Sequence, residues 1–495
     1  MIHEKMKKEN KITNNDKRKA FLIWADNGPE VNYLIKSLEE HSCKVVYWVG
    51  KTENTSEFPE IIFHDHYAAW AGLPPKNGSE ENCLPPSKEL IKKMAETESL
   101  VLSMMNKKFD ILSVDERRHL YYRMLGYWDT IIRKYKPYII IFPAVPHTVY
   151  NFIIYSLARE YKIRTVMFED SWVSDRLLMY RDWREGSLNL HLALQRNKNK
   201  NFRLLDLTED LQEYWKSHND PKNDVTPIYI NNARKKFSTF NKMLARVKIA
   251  KESLKNGTLL TRCWSYYRKQ FKSNLKKEYE SLQFKPKFDI DYLYVPLSFQ
   301  PERTTSPQGD VYGDQILMIE TLSKALPPDL TVYVKEHPAQ WLMRSNINYS
   351  SSRYEGYYKK IANLTNVKLV PFDTSTYDLI NAAKAVVVCA GTAGWEAIMR
   401  CKPVINFGYP WYRDFKGIFK VESVESCKVA VEKIMGGYKI TEQDIINFLK
   451  SFGEASSRAY IESMVEKISK LSKKESMEIL TKLIIADTQD ITSNK

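Results

Sequence analysis

Apolar residues in this chain fall into short, β-branched runs separated by stretches of helical spacing. The runs lie at 20–25, 44–49, 61–63, 138–142 and 165–168, and again at 291–296, 330–334, 367–369, 385–390 and 403–407. Between them, apolar positions recur at helical intervals over 30–41, 149–161, 316–326, 357–364, 376–383, 421–434 and 442–449. Helical stretches also fill 87–136 and 456–486. Strands that alternate with helices predict parallel sheets. The pattern therefore predicts an α/β protein of two Rossmann-like domains facing each other across a cleft, with a basic helical insertion between them. Residues 17–195 form the first domain, 196–285 the insertion, 286–435 the second domain and 436–486 C-terminal helices that cross back to the first. No internal repeat interrupts this reading.

Composition adds bounds. A chain of 495 residues, 43% hydrophobic, can bury two cores. No apolar run approaches the ~18 residues of a membrane span. The first residues are charged and polar, without the apolar stretch of a signal peptide, so a cytoplasmic location is expected. Six cysteines stand far apart with no CxxC pair, which argues against a disulfide framework or a zinc site. The net charge of +15 is concentrated: residues 234–280 carry fourteen Lys/Arg against three acids, with Phe237, Phe240, Trp264, Tyr266, Tyr267 and Phe271 among them. That segment reads as a solvated helical hairpin or as a patch for an anionic membrane surface. No nucleic-acid-binding motif accompanies it, so nucleic acid is not an expected partner.

Candidate chemistry sits where predicted strands end, the edge at which such sheets bind ligands. One run ends at Lys335-Glu336-His337-Pro338. Proline restrains both its own backbone and the residue before it, so His337 is held in a defined direction. An imidazolium there can hydrogen-bond a phosphate oxygen and neutralise charge on a leaving nucleotide, and Lys335 and Glu336 face opposite ways. Another run ends at Gly391-Thr392-Ala393-Gly394, just before a helix that contains Glu396. Glycines let a ligand approach the backbone, Thr392 adds a hydroxyl, and a helix start favours anions. Glu396 can accept ribose hydroxyls or merely complement the helix dipole. In the first domain Glu169-Asp170-Ser171 ends a strand, and one of the two carboxylates can serve as a general base. Arg176 and Arg181 follow and can bind a carboxylate. His64-Asp65-His66 follows a further run, but neighbouring strand residues face opposite ways and no other ligand is near, so a metal site is not expected. The turn at Asn27-Gly28-Pro29 is too short for a dinucleotide fingerprint.

Four motifs in order, YVPLSFQPERTT, DQILMIETLSKALP, VYVKEHP and GTAGWEAIMRCKPVINFGYPWY, resemble the bacterial capsule polysaccharide biosynthesis and export family. The resemblance is strongest over about 290–415 and extends weakly to about 135. It implies a GT-B-like, inverting, metal-independent glycosyltransferase without a cofactor, similar to enzymes that use CMP-activated keto-sugar acids and to bacterial sialyltransferases. It implies a nucleotide-sugar donor on the second domain and a glycan or lipid-linked acceptor on the first. By this resemblance Glu169 or Asp170 is the base and His337 contacts the donor phosphate. Lys335, His337, Pro338, Gly391, Thr392, Gly394 and Glu396 bind the nucleotide, while His147, Arg176, Gln300, Glu302, Arg303 and Tyr412 face substrate or acceptor. Ser171 stands where those enzymes carry glycine, and Tyr412-Arg413-Asp414-Phe415 where they often carry Gly-Trp-Gly. Two alternatives stay open: a polyol-phosphate transferase of the teichoic-acid type, and a non-catalytic capsule assembly or export partner.

Overall fold

The computed structural model describes residues 18–25, 28–51, 57–76, 83–219, 274–300, 302–338, 340, 352–467 and 469–489. The basic segment 234–280 lies almost wholly outside these residues, and so does the membrane-surface expectation that rests on it. The chain divides into two compact units: 1–101, 114–185 and 457–495 form the first, and 102–113 with 186–456 the second.

The first unit is built on β1 (Arg18–Ile23), β2 (Cys43–Gly50), β3 (Ile62–Asp65), β4 (Ile139–Ile141), β5 (Arg164–Asp170) and β6 (Arg176–Tyr180). β1 pairs in parallel with β2 and β4, β2 with β3, and β4 with β5. Where a strand ending at 168 was expected, β5 runs on to Asp170 and turns into β6, which pairs back on it antiparallel from Met167–Tyr180 to Asp170–Leu177. The sequence hides this hairpin because Arg176-Leu177-Leu178-Met179-Tyr180 is too short an apolar run to tell strand from helix. The helical stretches expected over 87–136 are the three helices Lys88–Lys93, Ala95–Met104 and Val114–Tyr135.

The second unit carries β7 (Tyr292–Pro296), β8 (Thr331–Lys335), β9 (Val367–Leu369), β10 (Ala385–Val388), β11 (Val404–Asn406) and β12 (Ile418–Lys420). All pairings are parallel, in the order β12-β11-β10-β7-β8-β9. From the β9 edge this is 3-2-1-4-5-6, the doubly wound order of dinucleotide-binding sheets. The order reverses between β7 and β10, and beyond their carboxyl ends lies the crevice where such sheets take ligands. Val332, Val334, Val387 and Ile405 turn to one face against the helices Gln315–Ala325 and Val424–Met435. Tyr292 and Tyr333 fill the other, their rings 4.6 Å apart.

The end of the chain returns to the first unit. Over 456–486, expected to be helical throughout, Ser457–Arg458 forms β13, antiparallel to β6, followed by helices Ser463–Glu466 and Lys473–Gln489. The last helix packs Met477, Leu480 and Ile484 into the core with Val31, Leu34 and Leu38 of the helix Pro29–Glu40. Asp487, buried, receives Arg164 and Arg181 together. Among the described residues no helix is long and apolar enough to cross a membrane.

Candidate functional site

In the second unit the exits of β7, β8 and β10 share one rim. Strands lie about 4.8 Å apart, so β8 and β10, each beside β7, end about 10 Å from one another. Most side chains there are buried; Ser298, Phe299, His337, Gly391, Thr392 and Glu396 keep part of their surface open. Phe299 lies against His337, ring centroids 5.8 Å apart.

The β8 exit separates its charges as strand alternation requires. Lys335 is buried and donates from Nζ to the Thr374 carbonyl at 2.7 Å and to Thr376 Oγ1 at 2.6 Å. Glu336 points the other way, fully buried, against an equally buried Arg353. Arg353 donates from Nε to Glu336 Oε2 at 2.8 Å, from Nη2 to the Ser298 carbonyl at 3.1 Å and from Nη1 to Gln300 Oε1. The Glu336 carboxylate also accepts the Tyr358 hydroxyl and the backbone N–H of His337, the latter at 2.7 Å. One buried ion pair thus fixes the backbone at His337 and at Ser298 together. Gln315 adds to the hold by accepting the Ser298 N–H at 2.6 Å and donating to its carbonyl at 3.2 Å.

Sequence reasoning singled out neither Arg353 nor Gln315. Arg353 follows a polar run without periodicity and Gln315 opens an ordinary helix, so no local signal marks them. Gln300 was expected to face substrate; instead its side chain closes this network, Nε2 reaching the Gly313 carbonyl at 2.9 Å. Glu302 is exposed, and its carbonyl takes the N–H of Thr305 and Ser306. Arg303 is half-buried one residue on.

His337 is desolvated. Burial pulls its pKa down to about 4; Glu336 pushes it up, and Arg353 and Lys335 push it down. At neutral pH the unliganded imidazole is therefore uncharged, not the imidazolium anticipated from sequence. It can donate one hydrogen bond to a phosphate oxygen, and a bound phosphate would favour its protonation.

The β10 exit is shaped by its neighbours. Tyr412, expected at the acceptor, is buried and donates its hydroxyl to the Gly391 carbonyl, while Asn406 Nδ2 holds the Cys389 carbonyl at 2.7 Å. Gly394 is buried under the Tyr412 hydroxyl, so packing alone requires glycine there. Gly408 does the same for the next strand exit: a Cβ would sit 2.5 Å from the Gln308 carbonyl oxygen and 2.7 Å from that of Cys389. Gly391 differs. A Cβ there would meet only Ser298 Oγ, at 3.8 Å, and its φ is not left-handed. Neither packing nor backbone conformation demands that glycine, and the space before its Cα is open to a ligand. The helix that follows, Ala393–Ile398, has six residues and no side-chain cap at Thr392. Glu396 sits in its first turn, with a pKa raised to about 7 by burial against the opposing pull of Arg400 and Lys335. Near neutral pH its carboxyl can therefore donate or accept a hydrogen bond.

In the first unit Glu169 and Asp170 are both buried, on the part of β5 that outruns β4. They face opposite ways, and Asp170 is committed: its carboxylate accepts the N–H of Ile461 and Glu462, the latter at 2.9 Å. Ser171, in the glycine place, closes the hairpin. Its hydroxyl donates to the Arg176 carbonyl at 2.7 Å and accepts the Val173 N–H at 3.1 Å. The left-handed conformations fall on Trp172 and Ser174 instead, which is why serine fits. Arg176 is buried at the start of β6, and His147 lies at the β4 exit with Nδ1 2.8 Å from the Val145 carbonyl. Among the described residues no cluster of three or more His, Cys, Asp or Glu has metal-binding geometry.

Comparison with known proteins gives one sequence family and a set of distant structures. Residues 302–434, under half of the chain, match the family described as capsule polysaccharide biosynthesis protein, the family that the four motifs resemble. No curated protein sequence matches. Solved structures that resemble the chain include the UDP-GlcNAc 2-epimerase of Methanocaldococcus jannaschii, at 13% identity over 94% of this chain and 99% of that one, TM-score 0.24. KpsC of Thermosulfurimonas dismutans, a beta Kdo 2,7 transferase, covers the same shares at 10% identity, TM-score 0.33. Its beta Kdo 2,4 transferase covers 64% of this chain and 78% of that one at 13% identity, TM-score 0.27. At such scores these likenesses carry no argument about this chain's reaction.

Proposed function

We propose, on the premise that residues 302–434 carry the capsule polysaccharide biosynthesis signature, that the chain is a glycosyltransferase of surface polysaccharide synthesis. The observation that carries this reading is the rim at the β7–β10 reversal, where His337, Gly391, Thr392 and Glu396 are among the groups left partly open, with Ser298 and Phe299 beside them.

In this reading a nucleotide-activated sugar binds the second unit. The donor is a CMP-linked sugar, as the motif resemblance implies. Its phosphate lies against Gly391 and Thr392 and takes a hydrogen bond from His337; the ribose hydroxyls meet Glu396. The first unit holds the acceptor. Glu169 takes the proton of an acceptor hydroxyl as its oxygen attacks the anomeric carbon. The bond from that carbon to the phosphate oxygen breaks with inversion, and the nucleoside monophosphate departs with the electron pair. We assign the base to Glu169, the first carboxylate of the pair, as the motif resemblance implies; Asp170 holds two backbone amides. Charge on the leaving phosphate is met by His337, Lys335 and backbone N–H groups, so transfer is expected to persist with chelator present.

A thermal-shift panel of CMP, CDP, UMP, UDP and GDP tests the donor. CMP is expected to raise the melting midpoint, since a ligand that binds only the folded state stabilises it, and His337→Asn to abolish the shift. Glu169→Gln is expected to keep the midpoint and lower transfer by about 10²–10⁴-fold. A response to UDP but not CMP sinks the CMP donor. Wild-type transfer by Glu169→Gln sinks the base. Release of CMP from CDP-glycerol with phosphate carried to the acceptor favours the polyol-phosphate reading.

A further inference from the structure

The His64-Asp65-His66 run, which no metal argument absorbs, opens an unusual element. The helix His66–Ala71, at the exit of β3, buries Ala69 and leaves Tyr67, 56% exposed, beside the partly open rings of His66 and Trp70. An ordinary surface helix does the reverse, since burying large apolar rings is what stabilises it.

The rings are held in place. Asp65 caps the helix by accepting the Ala68 N–H at 2.8 Å, and Gly72, at φ 74°, closes it. His66 Nδ1 lies 2.8 Å from the hydroxyl of Tyr150, a buried residue in the first turn of the helix Val149–Glu160. That helix follows β4, so His66 ties the edge of the sheet to the point where its strand order reverses, between β1 and β4. The imidazole is ringed by Tyr67 at 5.2 Å, Trp70 at 5.8 Å and Tyr150 at 5.6 Å. His64, by contrast, is buried between Tyr47 and the Leu73 carbonyl and belongs to the core.

We infer that His66, Tyr67 and Trp70 form a saccharide-stacking subsite that holds a sugar ring of the acceptor glycan. The inference rests on the transferase reading and names the ligand class of its first unit. A sugar presents an apolar face of C–H groups, which packs on aromatic faces, and an edge of hydroxyls, which needs donors and acceptors. Tyr67 and Trp70, three apart on the helix, supply adjacent rings; His66 and Asp65 supply the polar edge. The carboxylate beside the rings disfavours a phosphate-bearing nucleotide. A six-residue helix is also too small for a stable protein interface, which needs about 800 Å² per partner.

The test uses the full chain without donor, titrated by saturation-transfer NMR with a defined panel of bacterial surface oligosaccharides. The wild type is expected to bind at least one member. Tyr67→Ala with Trp70→Ala should bind it about tenfold or more weakly with an unchanged melting midpoint. The double Phe variant should keep most of the affinity. Equal binding by wild type and the Ala double variant overturns the subsite, as does a wild type that binds no member of the panel. Should the Ala variant melt early, Tyr67→Ser alone, exposed and outside the core, decides in the same way. Ring-dependent binding in a protein that transfers no sugar would leave the subsite standing and the transferase reading fallen.

Discussion

At the residue scale the site turns on two groups held away from their ordinary charge. His337 is neutral because water is scarce around it, with a pKa of about 4. A phosphate bound there, as proposed, would supply the negative charge that protonation needs, so binding would take up a proton. Nucleotide affinity is therefore expected to rise as pH falls from 7.5 to 5.5. Titration calorimetry in two buffers of different ionisation heat measures that uptake. His337→Asn should flatten the dependence. Glu396, poised at about 7, is the group that can mimic it, and Glu396→Gln separates the two contributions. A slope that survives in His337→Asn and vanishes in Glu396→Gln assigns the proton to Glu396 instead.

At the scale of elements, three strand exits are held by side chains drawn from elsewhere in the chain. The Glu336–Arg353 pair is wholly buried, and burying two charges is costly unless every donor and acceptor is met. Here Ser298, Gln300, Tyr358 and the His337 amide meet them. Breaking the pair from one side leaves a buried charge alone. Arg353→Met is expected to cost about 3–5 kcal/mol in denaturant unfolding, and Glu336→Leu with Arg353→Met together distinctly less. If the double variant is as unstable as the single, the hydrogen bonds to Ser298 and Gln300 matter more than the charge. The same elements show where the sequence was readable. VYVKEHP and AVVVCAGTAG announced strands ending in polar turns, because β-branched runs and glycines carry those signals locally. The partners of those turns did not, because Arg353 and Gln315 act over separations that leave no local pattern.

At the scale of the whole molecule, among the described residues His64 in the first unit and His337 in the second are held neutral at about 4, and burial also lowers His218 of the second. Both values lie below the ordinary 6.5. The unfolded chain therefore binds more protons between pH 6.5 and 4, and stability falls as pH drops through that window. Glu396 works against this. Its pKa is raised above the ordinary 4.5 to about 7, so its contribution weakens as pH rises from 4.5 to 7 and is recovered on acidification. Asp175 and Asp414, held below the usual carboxylate range by Arg458 and Lys420 against the opposing effect of burial, add a loss only in stronger acid. Calorimetric melting should thus fall from pH 7 to 5, and Glu396→Gln should steepen the fall. A shallower fall in that variant contradicts the burial of the Glu396 carboxyl.

Taken by itself, the sequence determined the strand–helix alternation, the parallel pairing among β1–β5 and of the whole second sheet, and the polar turns at 335–338 and 391–394, because hydrophobic period and turn chemistry are properties of adjacent residues. Only the tertiary structure decided which polar groups stay open. Gln300 and Tyr412 turned inward to brace the strand exits, Gly394 was packed beneath the Tyr412 hydroxyl, Asp170 was taken by the returning chain end, and Gly391 was left with open space before it. The physical reason is that burial and partnership are set by residues distant in sequence. An acid at a strand end reads alike whether it awaits a proton or holds two backbone amides.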